Sequence, residues 1–455
     1  MTPTDVALTH REHVPRTLAT LRVATVAALI VVIPWNVHYG FFIKEHSPHL
    51  VGSHVQQTIL GPVDVGFLIL IVASIRLLTA RSTYTKQPAG QLGAAIAVVV
   101  VAIWLVMFPT AEGAVMLFRV IGVFVTIVAI RHFAAVDIVP GIVWPLAIGA
   151  SFQALIALTQ TLVNDSGMVV PATTMAVGRA WTAGRGTFSG PYSLAAYLIL
   201  AIVVLLSFGI ASRPFSSRFR SISLSRPTRI AMWTTVGLAS AAVATTFGRT
   251  VLLSLAVVGA TYSIGWLLKR QRILGVSALA VIAPFVGTAL VVRSGWLVRA
   301  SQTAAGDLTT RDTLIARAID MIQSSPLIGI GPVQYGPNLA QMGLPVPDAH
   351  VVHNLPLLIA VEFGIVVGIA FLVWIVALGV RSIRQSTYLA ALFLFTVPFF
   401  LLDNLHYVYG NGMAALAIWI AFLDYHSKAR NTSHDSGDVL APPLPTPETS
   451  SDPER

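Results

Sequence analysis

Three arginines stand among small or turn-forming residues: Arg185 in Ala183-Gly-Arg-Gly-Thr-Phe-Ser-Gly-Pro191, Arg249 in Phe247-Gly-Arg-Thr250, and Arg311 in Thr309-Thr-Arg-Asp312. A guanidinium stays charged at any physiological pH, and its planar fork binds two oxygens at once. Three of them at one surface therefore suit a phosphate or diphosphate. Each taken alone reads equally well as an arginine that snorkels to a lipid phosphate or caps a local carbonyl. Asp348-Ala-His-Val-Val-His353-Asn354 adds two histidines three apart, His350 and His353. An imidazole can accept a proton from a hydroxyl near neutral pH. The same segment also reads as a sparse metal site or as an interfacial helix cap. The chain has no cysteine, which removes thiolate nucleophiles, disulfides and cysteine metal sites.

These residues must be positioned by a membrane scaffold. Of the 455 residues, 55% are hydrophobic and only 11% charged, with mean hydropathy +0.77. A soluble domain carries about a quarter charged residues, so the composition is that of a polytopic membrane protein. Twelve apolar runs are long enough to cross a hydrocarbon layer of about 30 Å. They lie near 18–36, 62–80, 91–109, 113–131, 139–162, 191–212, 230–247, 250–268, 273–292, 355–379, 386–402 and 409–425. No small-residue cleavage site follows the first run, which reads as a retained span.

The basic residues orient these runs. With the N-terminus inside, 20 of the 29 Lys and Arg fall on the inner side, among them Arg76, Lys86, Arg213, Arg229, Lys269, Arg272, Arg381 and Arg384. Eight fall outside: Lys44, Arg179, Arg185, Arg249, Arg293, Arg299, Arg311 and Arg317. The bias follows the positive-inside rule and places both termini in the cytoplasm. It accounts for much of the +10 formal charge without a nucleic acid partner. The outer cations run against that trend and collect in loop 163–190, at Arg249 and in loop 293–354. No Asp-x-Asp pair occurs outside, so a divalent-metal clamp for a nucleotide sugar finds no support there.

Residues 1–430 thus read as one polytopic membrane domain with an extracytoplasmic loop at 293–354. Residues 431–455 are polar and Pro-rich, and read as a disordered cytoplasmic tail. In the outer loop, Thr309 and Asp312 read as a capping pair. Leu314, Ala318, Met321 and Ile322 follow at helical spacing up to Ser324-Ser-Pro326. The pattern predicts an amphipathic helix lying on the outer membrane surface with Arg311 in its first turn. Two charges remain inside apolar runs, Arg119 and Glu362. Their similar depth below the outer surface predicts an ion pair with each other, or a shared cavity. As a coupling pair they would instead serve a secondary transporter or exporter, although no inverted repeat is visible.

Taken in order, these motifs resemble the O-antigen ligase family of bacterial membrane glycosyltransferases, which shares a domain with O-antigen polymerases. The resemblance spans roughly residues 175 to 380. It rests on Arg185-Gly-Thr-Phe-Ser-Gly-Pro191, on Gly248-Arg249-Thr250, on Arg311 followed by Pro326-Leu-Ile-Gly-Ile-Gly331, and on His353-Asn354 with Glu362-x-Gly364. It implies an all-α integral membrane fold of the glycosyltransferase C type, with about twelve spans and a helical outer loop between spans nine and ten. It implies a polyprenyl-diphosphate-linked glycan as donor, and a glycolipid, glycan or protein hydroxyl as acceptor, at the outer face of the bacterial cytoplasmic membrane. Arg249 and Arg311, with Arg185, would hold the diphosphate, and His353 would activate the acceptor, with inversion and without metal or cofactor. His350, Asn354, Glu362 and Arg119 would support them. A polymerase of the same family differs only in its acceptor.

Overall fold

The computed structural model describes residues 16–35, 41–42, 59–79, 89–163, 176–177, 181–188, 191–210, 224–302, 306–342, 352–402 and 412–423. Their regular secondary structure is helical apart from two ribbons of two-residue strands, Phe41–Phe42 with Ile59–Leu60 and Ala176–Val177 with Trp181–Thr182. The first helices are α1 (Arg16–Val32), α2 (Pro62–Thr79), α3 (Ala89–Met107) and α4 (Ala111–Arg131). A short α5 (Ala135–Ile138) passes through a π-turn at Val139–Val143 into α6 (Trp144–Val163). Then come α7 (Pro191–Ile210), α8 (Arg226–Ala244), α9 (Arg249–Lys269) and α10 (Arg272–Val291). Residues 293–341 hold α11 (Arg293–Gln302), α12 (Gly306–Ser324) and α13 (Tyr335–Gln341). The chain continues as α14 (Leu355–Phe363), α15 (Ile365–Gln385), α16 (Thr387–Leu394), α17 (Val397–Leu402) and α18 (Gly412–Leu423).

Among the described residues, seven helices are long and apolar enough to cross a membrane, and four more apolar helices are shorter. This makes the chain a multi-pass membrane protein. Local signals start the helices where the sequence places them. The Thr110 hydroxyl accepts the Gly113 amide at the head of α4, the Ser225 hydroxyl accepts the Thr228 amide at the head of α8, and Pro stands in the first turn of α8 and α14. α7 is buried along almost its whole length, which makes it the central post of the bundle. α6 and α8 pack against it, and Tyr197 on α7 is buried beside Phe188 with ring centroids 5.6 Å apart.

Three expectations are corrected. The run 355–379 is not one span. Gly364 takes φ +90°, a conformation that L side chains avoid, and the chain folds back there so that Gly368 lies against Ala360. α14 is therefore a short helix packed on the side of α15, and α15 alone is a span. The apolar stripe of the helix bearing Arg311 faces protein rather than being left for a membrane surface. Leu314, Ala318 and Met321 are buried against Tyr335, Leu339, Val352, Leu358 and Val361, so its apolar stripe covers α13 and α14. That helix begins at Gly306, which puts Arg311 in its second turn.

The third correction concerns the buried charges. Arg119 does not pair with Glu362. Its Nε and Nη2 donate to Oδ1 and Oδ2 of Asp64 at 2.8 and 3.0 Å, a two-pronged pair sealed between α4 and α2. Asp64 is fixed in turn by the Gly61 amide at 2.8 Å. Glu362 instead accepts backbone amides, as the site's geometry makes clear.

Candidate active site

The Arg185 loop is held by two glutamines of α6. Gln160 Oε1 accepts the amides of Arg185 (3.0 Å) and Gly186 (2.9 Å), and its Nε2 donates to the Gly186 carbonyl (2.9 Å). Gln153 Oε1 accepts the Thr187 amide at 2.8 Å and the Thr187 hydroxyl at 3.1 Å. Gly186 sits at φ +59°, and a Cβ there would stand 2.4 Å from Gln153 Oε1. The Arg185 side chain is 3% exposed, and burial lowers its pKa from the ordinary arginine value.

The same loop touches the α8–α9 turn. The Gly184 amide donates to the Thr245 carbonyl at 2.9 Å, four residues from Arg249. Within that turn Phe247 adopts φ +52° and packs edge-on to Trp296 of α11, with centroids 5.6 Å apart. Trp296 Nε1 donates to the Ala244 carbonyl at 3.1 Å, which closes the group. Arg249 heads α9 and is exposed. Arg185 and Arg249 thus belong to one assembly of loops on one side of the helical layer.

A second assembly gathers the other motifs. Segment 326–335 wraps the junction of α14 and α15. The Ile330 amide donates to the Val361 carbonyl (3.0 Å), Gly331 to the Glu362 carbonyl (3.0 Å), and Ile365 to the Pro326 carbonyl (2.8 Å). The Glu362 carboxylate accepts the amides of Val333 at 2.9 Å and Tyr335 at 3.4 Å, at the head of α13. Gly329 and Gly364 are required by this close approach. A Cβ on Gly364 would stand 2.1 Å from the Leu327 carbonyl oxygen. The Pro-Leu-Ile-Gly-Ile-Gly run and the Glu-x-Gly pair are therefore two halves of one backbone clamp. Tyr335 ties α12 to it through a 2.9 Å bond from its hydroxyl to the Leu314 carbonyl, and burial raises that hydroxyl's pKa.

His353 follows Val352, which is buried in the cluster under α12, and precedes Asn354. Asn354 caps α14, its Oδ1 accepting the Leu357 amide at 2.9 Å, while its Nδ2 donates to the Leu401 carbonyl of α17 at 3.3 Å. His353 is half-buried. Arg311 stands one turn before Leu314, in the α12 stripe that covers this cluster, and is half-buried as well. α17 packs against both α14 and α9, the helix headed by Arg249, so it lies between the two assemblies. Arg119 bonds to Asp64 on the neighbouring helix α2. His350 and Asp348 fall outside the described residues, as does the tail 431–455.

Beside α14 runs a cavity of about 380 Å³ between α3, α4, α14, α15 and α18. Leu355, Ile359 and Phe363 of α14 form one wall, and Trp374 and Met413 contribute to the others. Its lining is almost wholly apolar and begins two residues after His353. Phe363 meets the α3–α4 end through Trp104, whose ring lies edge-on at 6.0 Å and whose Nε1 donates to the Ile328 carbonyl.

Asp64, Gln153 and Gln160 did not stand out as site residues in the sequence. Each had a signal: a carboxylate opening an apolar run, and two amides seven apart on one helix face within another. In a medium without water such groups must find partners.

Residues 234–372 match the family described as O-antigen ligase. The match covers a little under a third of the chain and takes in Arg249, Arg311, His353 and Glu362, but not Arg185 or Arg119. No curated protein matches the chain. The match takes in the α8–α9 turn with Arg249 and the clamp between Gly329 and Gly364, and it leaves the Arg185 loop outside, so residues 234–372 are similar to the O-antigen ligase family.

Proposed function

We propose that the chain transfers a glycan from a polyprenyl-diphosphate carrier to an acceptor hydroxyl at the outer face of a bacterial cytoplasmic membrane, with both termini inside. The acceptor oxygen attacks the anomeric carbon as the bond from that carbon to the diphosphate oxygen breaks, and a single displacement inverts the configuration. The acceptor proton passes to His353. The charge left on the diphosphate falls to Arg249, Arg311 and Arg185, whose forks need no metal to stabilise it. The architecture is of the glycosyltransferase C type, with residues 293–354 as the outer loop. Asn354 and Glu362 act as supports that fix the backbone around His353 and α13.

The observation that carries this reading is the junction of Gly184 with Thr245, which unites two arginine loops far apart in sequence. The apolar cavity starting at Leu355 adds a place for the carrier's hydrocarbon next to the His353 segment. The transporter alternative required Arg119 and Glu362 to act as a pair. Asp64 and the amides of Val333 and Tyr335 take those charges instead, so no observation favours it.

The test is transfer in membranes or proteoliposomes from a labelled polyprenyl-diphosphate glycan to a panel of glycolipid, glycan and protein acceptors. His353→Ala should insert normally and transfer nothing above background. Normal transfer by that variant would remove the histidine's role. The acceptor that becomes labelled separates a ligase from a polymerase.

A further inference from the structure

Gln160 lies on α6, in a helix expected to cross the membrane, yet all its bonding serves the loop that carries Arg185. One side-chain oxygen receives two successive amides and the nitrogen returns a bond to the second residue's carbonyl, with distances of 2.9 to 3.0 Å. Two turns earlier on the same face, Gln153 receives both the amide and the hydroxyl of Thr187. Gln153 and Gln160 are 1% and 0% exposed, so these are dry bonds with no water to replace them. The loop has no regular secondary structure between Ala183 and Phe188. Its internal backbone bond is Phe188 to Arg185 at 3.0 Å, and the Gly184–Thr245 bond, the two glutamines and a 3.5 Å bond from the Thr187 hydroxyl to the Pro34 carbonyl hold it to its surroundings.

A buried guanidinium can serve an anion only if its position is set beforehand, because a loop that must order on binding gives up affinity. We infer that Gln160, aided by Gln153, is the positioning residue for Arg185: it fixes the backbone from which that guanidinium meets the donor's diphosphate. The inference rests on the diphosphate reading of the site. It concerns residues outside the matched domain, which ends its coverage at residue 234 on the N-terminal side. An amide suits this place better than a carboxylate. Gln160 both accepts and donates, whereas an ionised glutamate would lose the bond to Gly186 and would bring a negative charge beside the arginine meant for the ligand.

The experiment uses the full chain in nanodiscs and undecaprenyl diphosphate as the probe, with affinity measured for wild type, Gln160→Ala, Arg185→Ala and the double variant. Gln160→Ala and Arg185→Ala should each weaken binding about tenfold, the size expected from one or two lost buried bonds. The double variant should bind no more weakly than Arg185→Ala, because a residue that acts through Arg185 has nothing left to position. Gln160→Glu supplies a readout that a merely structural role does not move. Relative to wild type at the same pH, it should bind normally where its carboxyl is neutral and lose affinity as that carboxyl ionises. It also stands in if Gln160→Ala does not accumulate.

Additive losses in the double variant, or a Gln160→Glu protein that binds equally well across the range, would overturn the positioning role and leave the diphosphate site standing. An Arg185→Ala protein that binds as wild type would overturn the inference and leave the site to Arg249 and Arg311. Wild-type protein that fails to bind the probe at all would sink the underlying reading.

Discussion

The backbone amide of Gly184 donates to the carbonyl of Thr245 at 2.9 Å, and no side chain fits between them. A Cβ on Gly184 would stand 2.5 Å from the Thr245 hydroxyl oxygen and 2.7 Å from the Ala157 carbonyl oxygen. Two loops, one entering α7 and one entering α9, approach closely because residue 184 is glycine. The arginine that follows each contact, Arg185 directly and Arg249 four residues on, is thereby held in the same assembly.

Gly184→Ala should push these loops apart while leaving the helices inserted. Transfer per inserted molecule should fall about tenfold or more, given the loss of one buried bond and the displacement of Arg185. A transfer assay normalised to membrane-inserted protein checks this, and wild-type turnover would show that the contact is dispensable.

Arg249 and Arg185 should behave differently on replacement. Arg249 is exposed, so Arg249→Gln should change stability by less than about 0.5 kcal/mol while weakening donor use. Arg185 is buried among fixed bonds, so Arg185→Gln should lower both. Thermal unfolding in detergent, run beside donor KM, separates the two. Equal loss of stability in both variants contradicts the assignment.

The Asp64–Arg119 pair should be a stability element. Asp64→Ala removes the carboxylate that accepts both Nε and Nη2 of the buried Arg119 and should cost about 3–5 kcal/mol. Replacing both residues with apolar side chains of similar volume should cost much less. Melting temperatures of the two variants in one detergent decide it, and a double variant as unstable as the single one would contradict the account.

Gly364→Ala should abolish accumulation of folded protein, since the residue needs φ +90° and would collide with the Leu327 carbonyl. Glu362→Ala should be milder, leaving the Val333 and Tyr335 amides without their acceptor at about 1–3 kcal/mol. Size-exclusion profiles of fluorescently tagged variants report both. A monodisperse Gly364→Ala protein at normal yield would show that the clamp tolerates a side chain.

Chelation should leave transfer unchanged, because arginines are assigned the leaving-group charge. Activity measured after EDTA treatment and with added magnesium or manganese tests this. Loss on chelation with recovery on metal addition would require a different clamp.

The sequence by itself determined the membrane class, the helical segments and the motifs. Composition and apolar run length are properties of single segments, and backbone groups in hydrocarbon must bond within their own helix. The runs Pro326-Leu-Ile-Gly-Ile-Gly331 and Glu362-x-Gly364 were legible as motifs. Their mutual wrapping was not, since a φ near +90° at Gly364 converts one long apolar run into a folded-back pair. The partners of the buried charges were decided only by the tertiary structure. Depth along a helix matched Arg119 to Glu362, but azimuth about the helix axis turned Arg119 toward Asp64 and Glu362 toward the amides of α13. The same holds for α12, whose apolar stripe is periodic in sequence and indifferent to whether lipid or α14 covers it. Short-range pattern fixes which face of a helix is apolar, and only packing in three dimensions decides what meets that face.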